Sequence, residues 1–141
     1  MVDLKNNAAY DNDGLLELLG CAMYMPKRKK TSLALTGYRA NPCVRILGHN
    51  DDGAVSGVIV LLIDKNITIL NIGVAVAGRN RGVGRAMIGF VAQAYAGRTI
   101  EAETDAESVG FYRRMGFSFT GLGERYPGVE RFLCVLVPSV P

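Results

Sequence analysis

The chain has 141 residues, of which 49% are hydrophobic and 21% charged, and a formal charge of +3. That length and balance suit one domain, residues 1–141, around a single core, and they exclude a disordered chain. Four positive charges stand in one run, Lys27-Arg28-Lys29-Lys30; without it the balance is 3 − 4 = −1, so the basicity is local and makes no case for a general nucleic-acid-binding surface.

In chain order, residues 1–10 are polar and read as a loose arm or a short edge strand. Asp11 or Asp13 can cap a first helix carrying Leu15, Leu16, Leu18, Leu19, Ala22 and Met23, and Pro26 ends it or begins the next element. Lys27 to Tyr38 reads as a second helix, amphipathic through Leu33, Ala34 and Leu35, with Gly37 near its end and Pro42 closing the helical region. Val44 to Gly48 and Ala54 to Ile63 then read as a hairpin around the turn formers His49-Asn50-Asp51-Asp52-Gly53. That puts the one histidine in a solvated turn rather than at a catalytic centre.

Asp64-Lys65-Asn66 turns the chain into a third strand, Ile67 to Val76, where the side-chain parity changes. Ile67 and Ile69 alternate on one face; Leu70, Ile72, Val74 and Val76 follow the opposite parity. A strand changes faces only by gaining a residue or twisting, so a β-bulge is expected between Leu70 and Gly73, splaying the strand from a neighbour and opening a slot in the sheet. Three glycines and three arginines then fall within eight residues, Gly78 to Arg85, before helical spacing resumes at Val83, Met87, Phe90, Val91 and Ala94. This is strand, tight loop, helix. The first-turn amides of a helix lack intrahelical partners, and the helix dipole favours an anion there. Gly82 and Gly84 leave room for a phosphate beside backbone N–H groups, and Arg79, Arg81 and Arg85 add charge.

Gly97 stops that helix near Ala96. Arg98 to Thr104 reads as a strand with Ile100 and Ala102 inward and Glu101 and Glu103 on the polar face. A strand, crossover helix and strand of this length favours a parallel pair. Thr104 or Asp105 caps a short helix, Ala106 to Met115. A strand Phe117 to Gly121, a loop Leu122 to Gly128 and a last strand Val129 to Val137 complete the chain.

Three widely spaced cysteines, Cys21, Cys43 and Cys134, argue against a disulfide framework or a zinc site and for reduced thiols in a cytoplasm. A single histidine cannot build a multi-histidine metal site, and no metal is expected. No apolar run approaches the roughly 20 residues of a membrane span, and the N-terminus carries no apolar signal core.

Two motifs stand in a fixed relation: Arg79-x-x-Gly82-x-Gly84 opening the long helix, and Asp105 followed by Phe111-Tyr112-Arg113-Arg114-Met115-Gly116-Phe117. Together they resemble the GNAT superfamily of N-acetyltransferases, over roughly Ala54 to Val137. The resemblance implies an α/β (α+β) fold with a mixed, mostly antiparallel central sheet, a splayed parallel strand pair, and helices on both faces. It implies acetyl-CoA as cosubstrate. Backbone groups of Ile72, Gly73 and Val74 would pair with the pantetheine arm, and the amides from Asn80 through Arg81, Gly82, Val83, Gly84 and Arg85 would hold the pyrophosphate. Asp105 stands where the superfamily commonly has asparagine against the cofactor arm. Tyr112 matches the tyrosine beside the thioester sulfur, the usual general acid. For the base that takes the amine's proton the candidates are Glu101, Glu103 and Glu124, or water, with Glu103 first because it ends the strand before the Asp105 helix.

The function expected is therefore transfer of an acetyl group to a small-molecule or protein amine, by a monomer or homodimer with no nucleic-acid or membrane partner. Two other readings compete. A CoA or acyl-CoA sensor of the same fold would bind without turnover and lose no rate on Tyr112→Phe. A polyanion-binding protein using Lys27 to Lys30 and the arginine cluster would show steeply salt-dependent polynucleotide binding.

Overall fold

In the computed structural model the described residues are 1–5, 12–21, 28–51, 54–76 and 79–138. The elements run β1 (Val2–Asp3), α1 (Asn12–Gly20), α2 (Arg28–Ala40), β2 (Val44–Asp51), β3 (Ala54–Ile63), β4 (Ile67–Val74), α3 (Val83–Ala94), β5 (Ile100–Asp105), α4 (Val109–Arg114), β6 (Ser118–Tyr126) and β7 (Val129–Leu136). Seven strands form one sheet in the order β1-β2-β3-β4-β5-β7-β6. Every neighbouring pair is antiparallel except β4 and β5, which are parallel. The expected cap Asp11, Pro26, Lys27, the hairpin tip Asp52-Gly53 and Gly78 lie outside the described residues.

Both faces of the sheet are covered. On one, Val83, Met87, Ile88 and Val91 of α3 and Tyr112 of α4 pack on Leu47, Ile59, Leu61, Ile67, Ile69, Ile100, Ala102 and Cys134. On the other, Leu15, Leu18 and Leu19 of α1 and Leu35 of α2 pack on Leu4, Val44, Ile46, Val58 and Val60. Strand β3 feeds both cores, which is why Val58 to Leu61 is an unbroken apolar run, buried throughout. At Gly57 helix α3 comes down so close that a Cβ would stand 2.8 Å from Val83 Cγ1 and 3.0 Å from Met87 Cε.

Several local expectations are corrected. Helix α2 buries Leu35, one of the three expected apolar positions, with Thr31 one turn before it, while Leu33 is 64% exposed and faces solvent. His49 lies in β2 rather than in a turn: it stands opposite Gly57, with Nδ1 3.3 Å from Ser56 Oγ. A register shift between His49 and Asn50 absorbs the turn-forming residues within the ladder. Most of the expected loop Leu122 to Gly128 is strand. Register shifts at Gly121/Gly123 and Glu124/Tyr126, with Gly123 at φ 80°, let β6 continue to Tyr126, and the turn shrinks to Pro127-Gly128, with Gly128 at φ 75°. Helix α4 starts at Val109, three residues after the expected Ala106. The residues between are a turn in which Asp105 Oδ1 accepts the Ser108 N–H at 3.0 Å.

The thiols divide by place. Cys21 and Cys43 are exposed and Cys134 is buried on β7, where burial pushes its pKa up. Titration of the native protein with a disulfide reagent is therefore expected to consume two thiols quickly and the third only as the chain unfolds. Three equally fast thiols would contradict that packing.

Candidate functional site

The parity change in β4 has the structural cause expected of it. Val60 stands opposite Asn71 and Leu61 opposite Ile69, so Leu70 is an extra residue with no partner on β3. The bulge is at Leu70 itself; Gly73 pairs regularly with Val58. The extra residue keeps Ile67, Ile69, Ile72 and Val74 on the α3 face of the sheet and leaves Leu70 40% exposed.

The bulge also divides β4 from β5. Their pairing consists of Ile67 with Ile100, Thr68 with Glu101 and Ile69 with Ala102. Beyond that rung β4 stays with β3 and β5 stays with β7, so the two parallel strands fork. The Ala75 N–H donates to Ser56 O at 2.8 Å. Antiparallel ladders alternate, so Gly73 and Asn71 share that orientation toward β3, and the N–H and C=O of Ile72 and Val74 point into the fork. Consistent with this, the Val74 carbonyl accepts from Arg79 Nε at 3.3 Å rather than from a strand. Of the three backbone positions expected to hold a ligand arm, Ile72 and Val74 turn their hydrogen-bonding groups into the fork and Gly73 does not.

Past the fork the chain turns into α3. Asn80 (φ 62°) and Gly82 (φ 78°) are both left-handed, and Gly82 is the N-cap, with no side chain bonding the first-turn amides. The Gly82 carbonyl already accepts from Ala86 N–H at 2.9 Å, so the helix proper begins there. The amides of Val83, Gly84 and Arg85 belong to the first turn, before intrahelical bonding begins. No acidic side chain stands in that turn. Arg79, Arg81 and Arg85 are exposed around it. Backbone, dipole and charge together make this end of α3 electropositive. A Cβ at Gly82 would meet nothing within 4 Å, so that position is glycine for its backbone conformation. Gly84 has a second reason that the sequence does not reveal: a Cβ there would stand 2.9 Å from Phe111 Cε1 and 3.0 Å from Phe111 Cζ. Gly84→Ala is expected to cost about 1–3 kcal/mol by overpacking against that ring. Chemical denaturation would check it, and an unchanged midpoint would refute the contact.

Tyr112, one residue on, is 4% exposed and lies edge-on between Phe111 (centroids 5.2 Å) and Phe117 (5.3 Å). Burial pushes its phenol pKa well above the ordinary 10.0, and the neighbouring Cys134 adds to the rise. Cys134 is opposite Ala102, and Ala102 makes the last rung with Ile69. Tyr112 therefore packs over the sheet beside the point where the strands part, on the α3 face.

The carboxylates lie on the other face, because Ala102 is in the α3-side core and Glu101 and Glu103 alternate with it. Glu101 Oε1 accepts from Thr68 Oγ1 at 3.3 Å. Glu103 is the first β5 residue beyond the last rung, and its Oε1 is 3.4 Å from Arg131 Nε of β7. Glu124 is exposed on β6, the edge strand separated from β5 by β7. Asp105 ends β5 with its carboxylate on the Ser108 N–H. Arg131 as partner of Glu103, and the buried Asn71 beside the bulge, were missed; a polar residue inside Ile69-Leu70-Asn71-Ile72 was the available signal. Among the described residues no helix is long and apolar enough to cross a membrane.

Comparison with known proteins gives this arrangement a family. The model of the acetyltransferase (GNAT) domain matches residues 43–119, more than half of the chain. No curated protein matches the sequence. Among solved structures, the ribosomal-protein-S18-alanine N-acetyltransferase from Escherichia coli superposes with a TM-score of 0.72 at 17% identity, over 92% of this chain and 88% of that one. An aminoglycoside 6'-N-acetyltransferase complexed with coenzyme A gives 0.72 at 12% identity, over 94% and 97%. A GNAT family acetyltransferase from Elizabethkingia anophelis with acetyl-CoA bound gives 0.65 at 21% identity, over 93% and 94%. The forked parallel pair, the glycine-capped helix and the matched domain agree, and the chain belongs to the GNAT acetyltransferase family.

Proposed function

We propose that the protein transfers an acetyl group from acetyl-CoA to a primary amine. The observation that carries this reading is the fork between β4 and β5, with the backbone groups of Ile72 and Val74 turned into it and the open amides of α3 beyond its mouth. A pantetheine arm is an extended chain of amides, and an unpaired strand edge satisfies such a chain as it would another strand. The first turn of α3, with Arg79, Arg81 and Arg85, suits the pyrophosphate at the other end of the arm. Bound relatives of the same fold hold CoA or acetyl-CoA, which supports the choice of ligand.

Acetyl-CoA supplies an activated thioester. The amine nitrogen forms the new C–N bond, the C–S bond breaks, one amine proton leaves, and the departing thiolate takes up a proton. A backbone N–H at the fork polarises the carbonyl. Tyr112, kept neutral by burial, gives its proton to the sulfur and regains one from solvent. Glu103, at the opposite face of the fork and steered by Arg131, takes the amine proton directly or through a water.

Calorimetric titration with acetyl-CoA, followed by an amine-dependent assay of CoA thiol release, tests the reading. Binding with amine-dependent thiol release is expected. Binding without release for any amine class would favour the sensor alternative, and no binding would remove both.

A further inference from the structure

Asn71 sits in an apolar stretch, is 8% exposed, and among the described residues no donor reaches its Oδ1. A buried acceptor with no donor from the described residues is costly unless a donor from outside them reaches it, so its position is informative. Ile69 makes the last rung with β5, Leu70 is bulged out, and Asn71 is the next residue. It stands opposite Val60, a member of the core beneath α1 and α2, so its side chain is on that face. The Tyr38 phenol of α2 has the Asn71 side chain as its hydrogen-bond partner. Glu103 is the first residue beyond the same rung on β5 and faces the same way. Tyr112 and α3 occupy the opposite face. A thioester lying in the fork, with its phosphates at α3 and its sulfur toward Tyr112, is left open to attack from the side of Asn71 and Glu103.

We propose that Asn71 is a positioning residue for the acceptor: its Oδ1 accepts a hydrogen bond from the N–H of a primary amine that enters beneath α2, with Tyr38 holding the amide in place. This deepens the acetyl-transfer reading above and rests on it. A neutral primary amine carries two N–H bonds and one lone pair. One N–H on Asn71 fixes the nitrogen, the second remains for Glu103 or a water to deprotonate, and the lone pair is left for the carbonyl carbon. An amide oxygen is too weak a base to take the proton, so Asn71 orients the amine and does not enter the proton transfer.

The test uses the whole chain at saturating acetyl-CoA, with ethylamine as the probe acceptor and CoA thiol release as the readout. Asn71→Leu is expected to lower kcat/KM for ethylamine by about 30-fold, the worth of one buried hydrogen bond to an acceptor. It should leave the acetyl-CoA dissociation constant within about twofold and the melting temperature near wild type, because relief of the unpaired Oδ1 offsets the hydrogen bond lost to Tyr38. Asn71→Asp keeps an oxygen at the same place and is expected to recover most of the loss. A merely structural asparagine would give the opposite pattern: Asn71→Leu with unchanged kcat/KM, or with lower melting temperature and lost acetyl-CoA binding together, overturns the proposal. Wild-type protein that binds acetyl-CoA yet transfers nothing to ethylamine also overturns it. Wild-type protein that does not bind acetyl-CoA overturns instead the transfer reading beneath.

Discussion

Replacing Tyr112 with phenylalanine is expected to lower acetyl transfer about 10²- to 10³-fold while leaving acetyl-CoA affinity nearly unchanged, within the range a positioned acid contributes. The ring is held edge-on between Phe111 and Phe117, and phenylalanine keeps both contacts, so the change removes the hydroxyl and little else. Burial raises the phenol's pKa, which keeps its proton in place at neutral pH and makes it an acid rather than a phenolate. Stability should carry the same signature. The folded pKa lies above the unfolded value of 10.0, so the contribution is whole below about pH 10 and is lost as pH rises beyond it. The wild type should therefore lose stability above pH 10 more steeply than Tyr112→Phe. Steady-state kinetics with calorimetry of acetyl-CoA binding check the first part, and alkaline denaturation checks the second. Equal turnover in the two proteins would leave Tyr112 a core aromatic.

Deleting Leu70 is expected to cost more stability than any point change in β4, and to abolish acetyl-CoA binding. The extra residue is what returns Ile72 and Val74 to the α3 face after Ile69. Without it, each residue from Asn71 to Val74 changes face, putting an amide into the apolar core and turning two aliphatic side chains away from it. Both are only partly buried, so the loss is about 3 kcal/mol from their burial alone. That is a large share of the 5–15 kcal/mol that typically holds a domain together. A straightened β4 would also continue its ladder with β5 and close the fork. Urea denaturation and acetyl-CoA titration of the deletion variant measure both effects. Retained binding would mean that the fork does not depend on the bulge.

The strand order around β4 and the bulge were legible from local pattern, whereas the single core expected from the chain length is divided by the sheet into two. Side-chain parity in Ile67 to Val76 demanded an inserted residue, and the glycines and arginines of the following turn marked the helix start. Elements whose ends depend on cross-strand geometry were not legible. His49 and the segment Leu122 to Tyr126 are rich in turn formers, yet bulges in β2 and β6 hold them in ladders whose partners lie elsewhere in the chain. The site divided in the same way. The glycine- and arginine-rich start of α3 shows in local spacing, whereas Tyr112 stands out only through the resemblance its motif carries. The pairing of Glu103 with Arg131, the packing of Gly84 on Phe111 and the meeting of Asn71 with Tyr38 each join residues far apart in sequence, so only the folded sheet brings them to view.

The proposed acetyl transfer depends on one strand edge, and amide hydrogen exchange reads that edge directly. In the free protein the N–H groups of Ile72 and Val74 point into the fork and should exchange quickly, while those of Asn71 and Gly73, bonded to β3, should be protected. At saturating acetyl-CoA, Ile72 and Val74 are expected to become protected along with the first-turn amides of α3, with Asn71 and Gly73 little changed. Fast exchange at Ile72 and Val74 with the cosubstrate bound would contradict the claim that the fork between β4 and β5 holds its arm.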